Sequence, residues 1–259
     1  MLYSYVKKTL GSKYFLLSVL CGLAAHVMNL SAWIPQIIAG QVDAVYCYDY
    51  SIGFGSFGFL FVLAPAVSCG LSFWEEVNPP FFRLIVTRDA KIDYLKSRIS
   101  GSMIVGALSS IAVFVACFVL LRLFIPITQN TAERLYDLRH DIHAYLWKSS
   151  SAWRFFLFFG ILAGFHGMLW GMVSLIASTY TENRFVILAS PILVSQTLDI
   201  VLTLMNAPNV IQPYHLMTGY FVLGESMLRE IGWVFIIYSF YLLPLIVVFF
   251  KRAWRIVYE

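Results

Sequence analysis

Six apolar runs dominate this sequence, at 14–38, 51–73, 99–127, 153–179, 185–205 and 231–250. A helix rises about 1.5 Å per residue, so about 20 apolar residues cross the ~30 Å hydrocarbon core of a bilayer. In that medium every backbone N–H and C=O must be paired within the protein, and runs of this length pair them as helices. The expected fold is all-α: a polytopic membrane protein with six transmembrane helices, a single domain over 1–259. Composition agrees. The chain is 60% hydrophobic and 12% charged, whereas soluble domains are about a quarter charged and need those charges to cover a wet surface.

Lys and Arg predict the orientation. Lys7, Lys8 and Lys13 precede the first run. Arg83, Arg88, Lys91, Lys96 and Arg98 separate the second from the third, Arg184 follows the fourth, and Lys251, Arg252 and Arg255 follow the sixth. These segments alternate along the chain and so share one side, read as the cytoplasm, with both termini there. The first run exceeds a leader's apolar core and lacks a clean small-residue cleavage site, so a retained span is expected. The implied location is a plasma membrane, in a bacterial cell.

The connections carry structure of their own. Asn78 is a good N-cap, Pro79 suits a first helical position, and Phe81, Phe82 and Ile85 give an apolar face beside Arg83. Segment 74–98 is therefore expected to be a cytoplasmic amphipathic hairpin, with Glu75 and Glu76 free to pair with Lys96 or Arg98. The plainer reading is a helix lying on lipid. Segment 206–230 is apolar but broken by Pro208, Pro213, Gly219 and Gly224, so short helices dipping into the outer leaflet are expected. Leu135, Leu138, Ile142 and Tyr145 fall at helical spacing in another outer segment. Asp137, His140, Asp141 and His143 on that segment read as a solvated face, so no metal site is expected. Cys21, Cys47, Cys69 and Cys117 form no C-x-x-C pair, and Cys47 falls in an expected outer loop.

Two patterns lie inside the runs. Gly160, Gly164, Gly167, Gly171, Ser174 and Ser178 recur at steps of four and three, a small-residue stripe for close helix packing, read as packing within one subunit. His26, Asn29, His166, Gln196 and Asp199 are polar at membrane depth, where such groups line a path or bond between helices. Trp and Tyr near the run ends form an interfacial belt.

The order of parts resembles the type-2 ABC exporter permease family: two spans, a long cytoplasmic connection, two spans, a short turn, two spans with a broken outer connection, and a basic tail. The resemblance covers nearly the whole chain. Its best local match is Glu75-Glu76 after Trp74, then Arg83 to Arg88, then Tyr94-Leu95-Lys96 entering the third span. Asn78-Pro79-Pro80 departs from the family, where a Gly-containing turn is usual. The resemblance implies a transport subunit and no enzyme, with no catalytic residue and no cofactor in this chain. ATP and Mg would sit on two copies of a separate ABC ATPase, since no G-x-x-x-x-G-K-[ST] loop is present. It also implies coupling to that ATPase through Glu75, Glu76, Phe81, Phe82, Arg83, Ile85 and Arg88. A second permease copy or a related chain would complete the assembly in membrane lipid, with no nucleic acid. The substrate class implied is amphipathic: a peptide, antibiotic or lipid. A membrane-embedded enzyme or a secondary transporter are the alternatives.

Overall fold

The computed structural model describes residues 2–53, 57–77, 91–127, 152–219 and 227–258, and every regular element among them is helical. Six stretches are long and apolar enough to cross a membrane: Lys13–Ile38, Gly58–Glu76, Ile92–Arg122, Arg154–Ala177, Arg184–Leu204 and Met227–Arg255. The chain is a multi-pass membrane protein. Phe81, Phe82, Arg83, Ile85 and Arg88, the 130–149 segment and residues 220–226 lie outside the described residues.

The fourth span sits at the centre and packs on the second, third, fifth and sixth. Its small-residue stripe does this. A Cβ on Gly167 would lie 2.1 Å from the Gly106 carbonyl oxygen, and one on Gly106 would lie 2.4 Å from the Gly167 oxygen. The third and fourth spans thus touch backbone to backbone, as small residues permit in lipid. Gly171 meets Cys69, and Gly164 meets Ile111. The stripe is consumed inside one chain.

The second span is irregular for a stated reason. Pro65 has no N–H to donate, and a π-turn follows at Val67–Leu71. The Ser174 hydroxyl donates to the Ala66 carbonyl at 3.0 Å, satisfying an oxygen at this distortion. The fifth span contains Pro191 and the sixth Pro244. The fifth is the least covered by the rest of the chain: 11% of its central window is buried, against 67% for the fourth.

Several boundaries differ from the sequence reading. The third span starts at Ile92, not at 99, and the sixth runs from Met227 to Arg255, not from 231 to 250. The second span starts at Gly58, not at 51, and the third ends at Arg122 before a turn through 127. These last two shifts have one cause. Ala44–Gly53 is a separate helix folded into the bundle, with Ala44, Val45, Cys47, Tyr48, Asp49, Ser51 and Ile52 buried. The Asp43 side chain caps it by accepting from Tyr46 N at 2.7 Å. Its first N–H groups donate to the carbonyls of Pro126 and Ile127. Cys47, expected in a loop, is 1% exposed in this helix. Tyr48 packs edge-on against Phe114 and Phe159, anchoring the helix to the third and fourth spans.

Candidate functional site

At the basic end, the segments that the charge pattern put on one side come together. Arg98, near the start of the third span, pairs with Glu76 at the end of the second, both side chains at most 10% exposed. One guanidinium nitrogen faces this carboxylate. The charge also lies over two aromatic faces, 4.1 Å from the Tyr5 ring centroid and 4.8 Å from that of Tyr94. Desolvated cation–π contacts of this kind are worth about 2 kcal/mol. Tyr5 belongs to a helix, Leu2–Leu10, that the sequence reading missed. Its hydroxyl meets Ser102 at 3.3 Å. Nine residues carrying Lys7 and Lys8 look like a basic tail, and only the pairing of Tyr5 with Arg98 reveals them as a packed element.

Glu75 does not join Lys96 or Arg98. It takes Lys13 at 3.3 Å and accepts from the Tyr14 hydroxyl. The Lys13 pair is exposed and contributes little. Trp74 Nε1 donates to the Glu182 carbonyl at 2.7 Å, and Arg184 lies 3.9 Å from the Trp74 ring centroid. Phe249 of the sixth span packs on Phe73, and Arg252 reaches the Thr179 carbonyl. The N-terminal helix and the ends of all six spans are therefore joined at this end.

Deeper in the bundle, the polar residues sort into different roles. Asn29 is a structural clamp: its amide donates to the Ser51 carbonyl at 2.9 Å and accepts from Phe57 N at 2.8 Å. Both ends of its side chain are used, which ties the Ala44–Gly53 helix to the start of the second span. His26 Nδ1 lies 2.5 Å from the Ser51 hydroxyl. His26 and His166 line one cavity of about 20 Å³, together with Ser110 and Met217. His166 also lines a second cavity of about 20 Å³, with Gln196, Asp199, Ser195, Tyr214 and Met217. Four of the five polar residues singled out in the sequence thus gather around two adjoining voids that share His166. The first cavity pairs His26 with His166, and the second pairs His166 with Asp199.

The tautomer of His166 follows from its neighbour. Trp170 Nε1 can only donate, and it lies 3.2 Å from His166 Nδ1. Nδ1 therefore accepts and the ring proton sits on Nε2, which has no hydrogen-bond partner in the protein. An unpaired buried donor costs about 1–3 kcal/mol. The Ser110 hydroxyl on the first cavity is likewise without a protein partner.

Short helices supply part of the lining of both cavities. Pro213–Thr218 starts with Pro at its first turn and ends on Gly219 at φ 69°, a left-handed cap suited to Gly. Its Met217 lines both voids. Tyr214 Oη lies 3.1 Å from the carbonyls of Ile52 and Gly53 and shares its proton between them. These are carbonyls at the end of the Ala44–Gly53 helix, which lack helical partners. Tyr214→Phe is expected to cost about 1–2 kcal/mol and to raise thiol-reagent labelling of Cys47. Labelling as slow as in the wild type would show that this latch does not hold the two helices together.

Comparison with known proteins finds no family model, no curated protein and no solved structure that matches the chain. The functional reading therefore rests on the geometry and on the order of parts.

Proposed function

We propose that this chain is the membrane-spanning permease subunit of an ATP-driven exporter, moving an amphipathic substrate such as a peptide, antibiotic or lipid outward. One observation carries the reading. The connection between the second and third spans is rooted on both sides by the buried Glu76–Arg98 pair, and its far root is a single helix, Lys91–Arg122. A helix of that length is a stiff lever through the bilayer. Force applied to residues 78–90 from the cytoplasm would be delivered to the third span and, through the Gly106–Gly167 contact, to the fourth. In this reading 74–98 is the coupling hairpin. Phe81, Phe82 and Ile85 enter a groove on the ATPase, with Arg83 and Arg88 at its rim.

Voids with room for about one water each cannot hold a substrate of that class, whose pockets run to about 300 Å³ or more. In this reading the substrate passes between two permease chains. The sparsely covered fifth span, which exposes Gln196 on its apolar surface, faces that route. The Pro213–Thr218 helix is a re-entrant element closing it from outside.

Purification of the tagged chain from its native membrane in mild detergent tests this. The expected result is two copies of a separate ATPase in a complex with two permeases. Phe81→Ala with Phe82→Ala should release the ATPase, because aromatic anchors at an interface centre carry about 2 kcal/mol or more each. The permease should still insert at wild-type levels. Transport by a complex lacking any ATPase would reject the reading. It would favour secondary transport, the alternative that the polar cavities support.

A further inference from the structure

We propose that the cavity between His166 and Asp199 is a proton-binding site built around one water, which joins the His166 Nε2–H to the Asp199 carboxylate. The site stands on its own geometry and holds whichever transport reading applies. His166 is 4% exposed and lines this cavity, and its Nε2 has no acceptor within the protein. Its proton is committed to Nε2 because Trp170 occupies Nδ1. The lining also includes Asp199 and Gln196, whose side chains carry acceptor oxygens. A water needs about 10–15 Å³ and two to four polar partners, and this cavity has both, at about 20 Å³. No larger ligand fits, so the site takes water and the proton that water carries.

The chemistry is a single protonation. With Asp199 ionised, the water accepts from His166 Nε2–H and donates to the carboxylate. A proton arriving from the far side of the membrane forms one O–H bond on Asp199, and the carboxylate loses its negative charge. No other covalent bond forms or breaks. The carboxylic acid then donates to the water, which turns its own proton to the Gln196 oxygen. His166 stays neutral in both states and reports the change through its Nε2 hydrogen bond. The titratable groups facing this unit are His26 and Tyr48 across the first cavity, and Tyr214 on the Asp199 side. His215 also feels the Asp199 charge. Intramembrane acids are costly unless they serve such a role, and Asp199 is the only acid well inside a span in the sequence.

Solid-state NMR of the full chain in lipid vesicles, labelled with ¹⁵N-histidine and ¹³C-aspartate, tests the proposal. The wild type should show His166 as the neutral Nε2–H tautomer with magnetisation transfer from water. Its Nε2 shift should follow pH with the same midpoint as the Asp199 carboxyl. In Asp199→Asn the His166 shift should lose its pH dependence and keep its water contact. A wild-type His166 without water contact, or one indifferent to Asp199 titration, overturns the proposal, and neither measurement needs a variant to fold. A His166 shift that still follows pH in Asp199→Asn overturns it as well.

Discussion

Gly167→Ala is expected to melt well below the wild type, although it adds one methyl group. The new Cβ would lie 2.1 Å from the Gly106 carbonyl oxygen and 2.6 Å from Ser110 Oγ. The serine can rotate away. The carbonyl belongs to a helix backbone and cannot, so the third and fourth spans must separate. Overpacking costs about 1–3 kcal/mol when side chains can adjust, and a backbone clash belongs at or above the top of that range. Gly232→Ala is the control. Nothing lies within 4 Å of its Cβ, and Ala gains about 1 kcal/mol over Gly in a helix, so this variant should be neutral or stabilised. Denaturant or thermal unfolding in one detergent compares them. Because the Gly106–Gly167 contact is inside one chain, the Gly167→Ala defect should not depend on protein concentration. Equal stability of the two variants would mean that the two backbones are further apart than described.

Arg98→Ala is expected to destabilise the basic end by about 3–5 kcal/mol, the cost of stranding one member of a buried ion pair. It removes the Glu76 partner and withdraws the cation from Tyr5 and Tyr94. The N-terminal helix should then loosen, and trypsin should cut at Lys7 and Lys8 faster than in the wild type. Glu76→Leu with Arg98→Met separates stability from coupling. Replacing both charges by apolar groups of similar size is often neutral or stabilising, so this variant should recover the unfolding midpoint. On the exporter reading it should still bind the ATPase but transport poorly, because the hairpin has lost the pair that sets its angle. Wild-type trypsin resistance in Arg98→Ala would show that Tyr5 is held by Ser102 and packing alone. Full coupling in the apolar double variant would remove the pair from the transmission path.

How much of this was legible before the structure varies by element, and the physics says why. Length and hydropathy suffice for the spans, because a bilayer imposes one length and one way of pairing the backbone. Ala44–Gly53 escaped because it is short and weakly amphipathic, and Leu2–Leu10 because nine residues give its amphipathic pattern too little length to stand out from a basic lead-in. Tyr5 was visible as an aromatic, but its partner is 93 residues away. The polar set His26, His166, Gln196 and Asp199 stood out because polar groups at membrane depth are rare. Asn29 stood out for the same reason but serves the backbone of Ser51 and Phe57. No sequence signal separates these cases, because an amide that lines a void and one that clamps a turn look identical along the chain.

The sequence by itself determined that the chain is helical, has six stretches long and apolar enough to cross a membrane, and places its basic segments at one end. Each of these is a one-dimensional consequence of apolar length, backbone pairing or charge order. It also determined that the fourth span packs closely, since a stripe of small residues at helical steps has no other use in lipid. Only the tertiary structure decided which neighbour fills that stripe, that Arg98 chooses Glu76 while Glu75 turns to Lys13 and Tyr14, and that His166 lines two cavities. Those outcomes depend on contacts between residues far apart in the chain, where a shift of one helix by a few ångströms exchanges one partner for another.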